Sequence, residues 1–472
     1  MSAIASQLSV SRVIRILTLA LVITALILCL TPQMEVKADT LSVWKTVDDG
    51  SEGTLRWAVN NAFADDTISF DTSQIPPGST IVVSGQILID KNLTITGPGA
   101  DYLTISGGNQ NRVFEIGAGS EVHISGLRIT DGMDFMGGGI RNRGDLYLEY
   151  CIIENNLSTD EGGGIYNDRY LEIDHSIIRN NRTQDSEWWA GGGAGIYNLQ
   201  GATVRISYST ISDNKCGNHT GDGAGSGGDG GGIYGLTQAS IYLTNCTISG
   251  NSAGSSLSPQ GGASRGGGIY VTGGVRLSNC TIANNQAGSG GGIWKLGILE
   301  ARNSIIANNN ASNSPNIYGD LWSGGCNLIG DELSGWYYDS DSITDGDQLG
   351  ADPMLDVLAD NGGFTQTHAL LSSSPAIDGV LEGWCYTTDW TPEPVTDDQR
   401  GVFRPKDGDG DGLALCDIGA YEYESAFNPW DYDLDEDGVI SKVEALTAVA
   451  DYLSGSITKQ QALAVIVLYF AT

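Results

Sequence analysis

A twelve-residue acidic segment near the C-terminus combines residue types and spacing that suit a calcium ion. Carboxylates stand at positions 1, 3, 5 and 12, with a backbone carbonyl at position 7 and a hydroxyl at position 9. Ca²⁺ takes six to eight oxygen ligands, and carboxylates this close repel one another unless a dication neutralises them. Gly438, at position 6, permits the sharp bend that such a loop needs. The predicted ligands are Asp433, Asp435, Asp437, Val439, Ser441 and Glu444.

A second acidic run repeats the spacing of the first half of that loop. Asp407, Asp409 and Asp411 alternate with glycines, but Ile418 stands where a closing glutamate would be needed. The neighbouring Asp417 offers a replacement carboxylate. The run therefore either binds a second Ca²⁺ ion or is a solvated acidic turn, and both readings stay open.

Two adjacent tryptophans, Trp188 and Trp189, lie in a polar segment and could stack on sugar rings. The alternative is that they simply pack within their own loop. No catalytic constellation accompanies them, because no acidic pair recurs at matching places and the four histidines form no metal pattern. Gly-x-Ser-x-Gly occurs around Ser252 and Ser264, without the preceding strand and following helix that a nucleophile elbow requires. We assign no catalytic residue, and enzymatic activity stays undecided.

Composition and charge bound the class of protein. Lys and Arg number 24 and Asp and Glu 57, a formal charge of −33, which excludes a nucleic-acid binder built on a basic patch. Arg12 and Arg15 precede the apolar run 16–30, and Val36-Lys37-Ala38 resembles a cleavage site. This pattern predicts an export signal over residues 1–38. We expect no membrane span after its cleavage, because no other stretch is long and apolar enough.

The elements that must position these residues come from an internal repeat. A Gly-Gly-Gly-Ile element or a near equivalent is followed, 13 or 15 residues later, by a second isoleucine that closes a strand-like run. Short alternating strands with Gly and Asn corners predict an all-β fold, a parallel solenoid in which like residues stack in columns. Ile178, Ile211 and Ile248 should share one such column. The first isoleucines are Ile140, Ile165, Ile196, Ile233, Ile269 and Ile293, and the second are Ile153, Ile178, Ile211, Ile248, Ile282 and Ile306.

Stacking also makes predictions for corners, loops and cysteines. The corner series 126, 150, 175, 208, 245, 279 and 303 should adopt left-handed backbone, and its stacked asparagines should bond one another. Insertions fall at one corner, in segments 180–195, 214–232 and 251–268, where binding loops usually lie. Cys385 and Cys416 are the expected disulfide of an exported chain. Cys216 could form a metal pair with His219, pair with Cys326 or be a free thiol.

Several segments resemble exported right-handed β-helix proteins of the pectin-lyase-like superfamily. They are residues 54–59 (Thr-Leu-Arg-Trp-Ala-Val), 66–70 (Asp-Thr-Ile-Ser-Phe), 105–108 with 112–114, and the Gly-Gly-Gly-Ile repeats. Segments 327–330, 374–378, 398–401 and 416–422 resemble the end of bacterial and archaeal choice-of-anchor surface proteins. The pairing of Gly-Gly-Gly-Ile with Ile-x-x-Asn is similar to polymorphic outer-membrane adhesins. These resemblances span about residues 45–423 and imply a right-handed parallel β-helix and a surface location, without a catalytic residue.

The tail resembles a dockerin-like module. The loop Asp433 to Glu444 fits an EF-hand calcium loop, and it is followed by a helical stretch, a degenerate second unit and an apolar helix. The resemblance implies a cohesin-like protein partner, although dockerins usually carry two complete loops. The predicted domains are a signal at 1–38, a parallel β-helix with an N-terminal cap at 39–330, its C-terminal end or cap at 331–423, and the EF-hand module at 424–472.

Two functional hypotheses follow. The preferred one is a secreted or cell-surface, calcium-binding β-helix protein without catalytic activity, which presents its insertion loops to a surface glycan or a protein partner. The alternative is a polysaccharide lyase or glycoside hydrolase that carries the dockerin-like module. Unsaturated or reducing ends released from polysaccharides would favour the enzyme.

Overall fold

The computed structural model describes residues 38–188, 190–222, 224–256, 258, 260–330, 346–388, 392–424, 432–434, 438–454 and 459–471. The predicted signal, except Ala38, lies outside these residues, as do Trp189, Asp435 and Asp437. None of the helices in the described ranges has the length and apolarity that a membrane crossing demands.

Short parallel strands stack into the walls of a right-handed β-helix with a small helical C-terminal part, which confirms the predicted fold class. Each turn passes in order through four walls, called sheets A, B, D and C. Within the described residues, the strands of sheet A are Thr40–Val43, Asp66–Phe70, Leu93–Thr96, Glu121–Ser125, Asp145–Glu149, Tyr170–Asp174, Thr203–Ser207, Ser240–Thr244, Gly274–Ser278, Ile298–Arg302 and Trp322–Ser323. Those of sheet B are Ser79–Val82, Leu103–Ser106, Arg128–Thr130, Ile152–Glu154, Ile177–Arg179, Thr210–Ser212, Thr247–Ser249, Thr281–Ala283, Ile305–Ala307, Leu328–Ile329 and Gln348–Leu349.

Sheets C and D complete each turn. The strands of sheet C are Ile87–Ile89, Phe114–Ile116, Ile140–Asn142, Ile165–Asn167, Ile196–Asn198, Ile233–Gly235, Ile269–Val271, Ile293–Lys295 and Ile317–Tyr318. Sheet D comprises Met133–Met136, Leu157–Glu161 and Arg182–Thr183, and single parallel bridges extend it through Lys215, Ser252, Gln286 and Asn310. An antiparallel pair, Leu355–Ala359 with Thr367–Leu370, and the helices Leu55–Asn61, Lys442–Ser454 and Lys459–Ala471 complete the described elements.

The interior is filled by columns of aliphatic side chains, because alternate strand residues point to opposite faces. Ile178 pairs in register with Ile211, and Ile211 with Ile248, and all three are fully buried. The predicted column is therefore confirmed. The inward ladder of small residues is buried as well, with Cys151, Cys246 and Cys280 at positions that serines occupy in other turns.

The corner series behaves in two ways. Its members have positive φ angles, such as 49° at Asn245 and 50° at Asn303, in agreement with the prediction. The expected bonds between their amides are wrong, because Asn245 and Asn303 instead donate to the carbonyls of Asp397 and Trp384. The hydrogen-bonded amide ladder lies three residues after each closing isoleucine. It consists of Asn156, Asn181, Asn214, Asn251, Asn285 and Asn309, and Asn309 donates in turn to Asn316, which lies outside this spacing.

The segment from about residue 351 to 423 runs back along the outer face of sheet B and does not stack as further turns. Gln399 accepts a hydrogen bond from Thr247 at 2.7 Å and donates to Thr210 at 2.9 Å. Further along, the backbone N–H of Gly419 donates to the Asn303 carbonyl. We call residues 351–423 the return segment.

Buried ion pairs hold the return segment together. Arg400 contacts Asp398 at 2.7 Å, and Arg404 lies 3.5 Å from Glu422 while donating to the Asp417 and Gly419 carbonyls. The residues that carry the choice-of-anchor resemblance thus have a packing role here. Buried charges of this kind are tolerated because each has a partner.

Candidate functional site

The insertion loops form an ordered side of the solenoid, in which backbone bridges join the loops of successive turns. Ser186 bridges in parallel to His219, and His219 to Ser256, so that the loops of three successive turns stay in register. Glycine makes this close stacking possible. A Cβ atom on Gly254 would lie 1.9 Å from the carbonyl oxygen of Gly217 in the turn below. We call sheet D and the segments 180–195, 214–232 and 251–268 the loop side.

A groove of about 550 Å³ opens on the loop side. Hydroxyl, amide and backbone groups dominate its walls, and Lys215 is the one charged residue among those that line it. Ser255 donates to the Asn218 side-chain oxygen from both its backbone N–H and its hydroxyl, which ties two walls together. The lining residues are Lys215, Asn218, Ser252, Ala253, Gly254, Ser255, Ser256, Gly261, Gly262, Ala263, Ser264, Gln286, Ala287 and Gly288.

Trp188 lies on the same side, and its side chain is 85% exposed. Its backbone N–H donates to the Ser186 hydroxyl, and the backbone N–H of Ser186 donates to the carbonyl of Asn218, a groove residue. The loop tip is thereby anchored to the turn that forms the groove. Trp188 offers an open aromatic face of the kind that stacks on a sugar ring.

Asp229, one of the acids of the insertion loops, is not available as a catalytic carboxylate. Asp229 is buried, and its carboxylate binds the Arg265 guanidinium at 2.5 Å. Burial raises the pKa of Asp229, and the hydrogen bonds from Arg265 oppose this shift. A carboxylate engaged in this way orders the loop and is not presented to a substrate.

The predicted calcium loop in the tail has its first and last ligand residues close together. Glu444 is buried, and its carboxylate accepts hydrogen bonds of 2.7 Å from the backbone N–H groups of Leu434 and Ser441. The Asp433 carboxylate accepts from Gly438, whose φ of +82° is the expected bend. Glu444, at position 12, therefore contacts Leu434, the residue that follows position 1. The predicted metal ligands are all oxygen atoms, as a hard cation requires.

The second acidic run acquires a partner that the sequence did not suggest. Carboxylate oxygens of Asp378, Asp407 and Asp409 all lie within 4.8 Å of one another. Asp411 stays outside this group, and Asp417 instead accepts the backbone N–H groups of Asp378 and Tyr423. Burial, with the neighbouring Glu422 adding to it, raises the pKa of Asp417 to about 8.

The structure joins Cys385 and Cys416, the expected pair, in a disulfide. Cys216 and Cys326 are not joined to one another, and both are buried thiols. The Cys216 thiol contacts the carbonyl of Asp229 at 3.3 Å, and burial raises its pKa to about 12. Among the described residues, no group of three or more potential metal ligands includes Cys216 or His219, so a metal pair of these two residues stays a prediction.

An aromatic ladder on the outer face of sheet C was missed in the sequence. Neighbouring rings are nearly parallel, with centroids 4.5 to 5.3 Å apart, so each ring covers the faces of the next. The signal was the aromatic residue that follows the first isoleucine in five of the six repeats, with Arg141 in the remaining one. The ladder consists of Tyr166, Tyr197, Tyr234, Tyr270, Trp294 and Tyr318. With its faces occupied, it stabilises the stack and offers no sugar platform.

Comparison with known proteins gives one family match and one structural match. Residues 150–168 and 245–272 match the Chlamydia polymorphic membrane protein repeat. A solved structure described as the crystal structure of pectate lyase Pel9A aligns with 82% of this chain and 96% of its own, at 11% identity and a TM-score of 0.45. None of the curated proteins matches the chain significantly in sequence.

The two matched repeat segments coincide with structural units. Residues 150–168 run from the corner after sheet A through sheets B and D to sheet C, and residues 245–272 cover the same path three turns later. The match therefore concerns the stacking of turns and the loops between sheets B and C. It covers a small share of the chain.

Proposed function

We propose that the chain is an exported, non-catalytic β-helix protein whose loop side binds a surface glycan, with a calcium-loaded tail as its attachment module. The observation that carries the proposal is the polar groove on the same side of the solenoid as the exposed Trp188, built on loops held in register. Sugars combine apolar C–H faces with hydroxyl groups. An aromatic face on the same side as a groove of hydroxyl and amide groups suits both.

The tail supports the attachment role. Asp433, Asp435, Asp437, Glu444, the Ser441 hydroxyl and the Val439 carbonyl would hold one Ca²⁺ ion. Bound Ca²⁺ would neutralise the loop carboxylates and fix the start of the helix Lys442–Ser454, in whose first turn Glu444 lies. Asp378, Asp407 and Asp409 form a candidate for a second ion. A cohesin-like protein is the proposed partner of the tail.

Binding by the loop side is tested with the chain that begins at Asp39. The double variant Trp188→Ala with Trp189→Ala, and separately Lys215→Ala, are compared with the unmodified chain on a glycan array and on cells. Trp322→Ala is the matched control, because Trp322 is also exposed but lies on sheet A. We expect loss of glycan binding in both loop variants and none in the control. Glycan binding that the loop variants leave unchanged would contradict the proposal. If the chain captures only protein ligands, the glycan is wrong and the loop side binds a protein partner.

The enzymatic alternative has one observation in its favour. A second groove of about 530 Å³ on sheet A includes Glu149, Glu172 and Asp174 in its lining, together with His123 and Tyr147. Carboxylates in a groove are the groups that glycosidases use. Incubation of the chain with acidic and neutral polysaccharides, with and without Ca²⁺, distinguishes the functions. Release of reducing or unsaturated ends that Glu172→Gln abolishes would establish the enzyme, and silence favours the glycan-binding protein.

A further inference from the structure

Two cations lie next to each other on the loop side. Arg182 and Lys215 form a parallel β-bridge, which places their backbones about 4.8 Å apart on adjacent rungs with the side chains on the same face. Both residues are exposed. Within the described residues, neither side chain takes part in a hydrogen bond or an ion pair. Like charges this close repel one another, so an anion that contacts both would stabilise the pair.

Other cations of the same region have carboxylate partners. Arg179 contacts Glu154 at 2.7 Å, and Arg265 contacts Asp229 at 2.5 Å. In a chain with a formal charge of −33, two cations without such partners on neighbouring rungs are an exception. The contrast indicates that the two rungs present their charge to a ligand.

The acids of the insertion loops leave the two cations unneutralised. The Asp185 carboxylate accepts a hydrogen bond of 2.7 Å from the backbone N–H of Asn218. Three further acids of these loops are exposed, and in the described part of the loop side none of them forms an ion pair with either cation. They are Glu187, Asp213 and Asp222.

The rungs on either side of the two cations differ in polarity. Leu157 pairs with Arg182 on the preceding rung, and Ser252 and Gln286 follow Lys215 on the next two. Lys215, Ser252 and Gln286 all line the groove of about 550 Å³. The groove therefore spans three rungs, with positive charge at one end and hydroxyl and amide groups beyond it.

We propose that Arg182 and Lys215 bind the anionic group of an acidic glycan, a carboxylate or a sulfate ester, and that the neighbouring sugars lie along Ser252 and Gln286. Glycan binding by the loop side, as proposed above, is the premise, and the anion defines the class of glycan. A guanidinium donates two parallel hydrogen bonds to an oxyanion, and an ammonium adds a compact positive charge. Carboxylate and sulfate present oxygen acceptors of the same kind to both groups.

The charge of the chain limits the ligand further. The formal charge of −33 repels a densely charged polyanion, whereas two cations on adjacent rungs attract one anionic group locally. The hydroxyl and amide groups of the groove suit uncharged sugars next to that group. The expected ligand is therefore a glycan whose anionic groups are separated by neutral sugars.

Matched oligosaccharides test the proposal on the chain that begins at Asp39. The glycan array described above is extended with pairs that share a backbone. One set holds tetrasaccharides with a single uronate and their carboxyl-reduced forms, and the other holds tetrasaccharides with a single sulfate ester and their unsulfated forms. We expect the anionic member of a pair to bind at least about tenfold more tightly than its neutral partner. The two sets identify which anion the site takes.

Charge variants connect this preference to the two side chains. Arg182→Gln and Lys215→Gln should each weaken binding of the anionic member about tenfold, because each removes charge-assisted hydrogen bonds. Lys215→Arg keeps the charge and should retain the preference. Arg169→Gln is the matched control, because Arg169 is exposed and lies outside the loop side. Circular dichroism checks that each variant is folded.

The outcomes separate the anion site from the glycan-binding function. Anionic and neutral partners that bind equally, or folded Arg182→Gln and Lys215→Gln chains that keep the preference, would overturn the anion site and leave glycan binding intact. An equal loss in Arg169→Gln would also overturn it, because the effect would then follow total charge. Binding to no glycan at all would contradict the proposed function itself.

Discussion

The side-chain amide of Asn214 donates a hydrogen bond of 2.9 Å to the side-chain oxygen of Asn251, which lies one turn further along the solenoid. The same amide also donates to the Ile178 carbonyl, and the Asn214 oxygen accepts from both the backbone and the side chain of Asn181. One buried residue thereby connects three turns beneath the loop side. The ladder explains how loops rich in glycine and serine can be held in register.

Removal of one rung should destabilise the whole stack. Asn214→Ala leaves buried donors and acceptors without partners, at about 1 to 3 kcal/mol each. We expect the free energy of unfolding to fall by at least about 3 kcal/mol in urea titrations. Asn310→Ala, at an exposed position, is the control and should change it by less than about 0.5 kcal/mol. Equal effects of the two substitutions would show that the ladder does not stabilise the fold.

The disulfide should stabilise the return segment through its closed loop. Cys385 and Cys416 are 31 residues apart, a separation for which loop-closure entropy gives about 3 to 4 kcal/mol. In thermal unfolding, the double variant Cys385→Ser with Cys416→Ser should lose about 3 to 4 kcal/mol of unfolding free energy. Cys151→Ser is the matched control, because serine occupies the same ladder position in neighbouring turns. A smaller loss in the double variant than in the control contradicts this role.

Acid should loosen the contact between the return segment and sheet B through His368. Its Nδ1 donates to the Asp356 carbonyl at 2.7 Å, and its Nε2 accepts from the Ser249 hydroxyl at 2.8 Å, so the ring is neutral there. Burial lowers the pKa of His368 below its usual 6.5. Its contribution to stability is therefore complete above pH 6.5 and is lost as the pH falls from there through the lowered pKa.

The titration of His175 changes the stability in the opposite direction to that of His368. The two contributions to the pH dependence must therefore be distinguished. The hydrogen bond to Asp174 raises the pKa of His175, so its stabilising contribution is present below pH 6.5 and is lost as the pH rises through the raised pKa. Thermal unfolding between about pH 5 and pH 8 should show a smaller acid-induced loss in His368→Gln than in the unmodified chain. His123→Gln, at an exposed position, serves as control. An identical pH profile in all three chains contradicts the assignment.

Calcium binding should be separable into two sites by calorimetry. We expect the unmodified chain to bind two ions, Glu444→Gln to lose the tail site, and Asp407→Asn to lose the site in the return segment. Glu382→Gln, an exposed acid outside both clusters, should behave as the unmodified chain. If neither site variant changes the number of Ca²⁺ ions bound, neither cluster is a calcium site.

The sequence predicted those features that recur in every turn. The isoleucine columns, the left-handed corners and the position of the insertions follow from one period, because each turn repeats the same local preferences. The amide and aromatic ladders carried the same kind of signal, in Ile-x-x-Asn and in the residue after Gly-Gly-Gly-Ile, and were overlooked. Both would follow from reading every position of the repeat.

The return segment could not be derived in this way. Gln399 meets Thr210 across 189 residues, and nothing periodic in either sequence marks the contact. The same is true of Asp378, which joins Asp407 and Asp409 through the fold of a single, unrepeated segment.

The proposed binding surface depends on a loop side that is one rigid, parallel wall. Arg182, Lys215, Ser252, Gln286 and Asn310 occupy consecutive rungs of that wall. Spin labels at Arg182→Cys and Asn310→Cys, four rungs apart, should give a narrow distance distribution near about 20 Å by pulsed electron paramagnetic resonance. A broad distribution, or a mean beyond about 30 Å, would contradict a stacked loop side and with it the proposed binding surface.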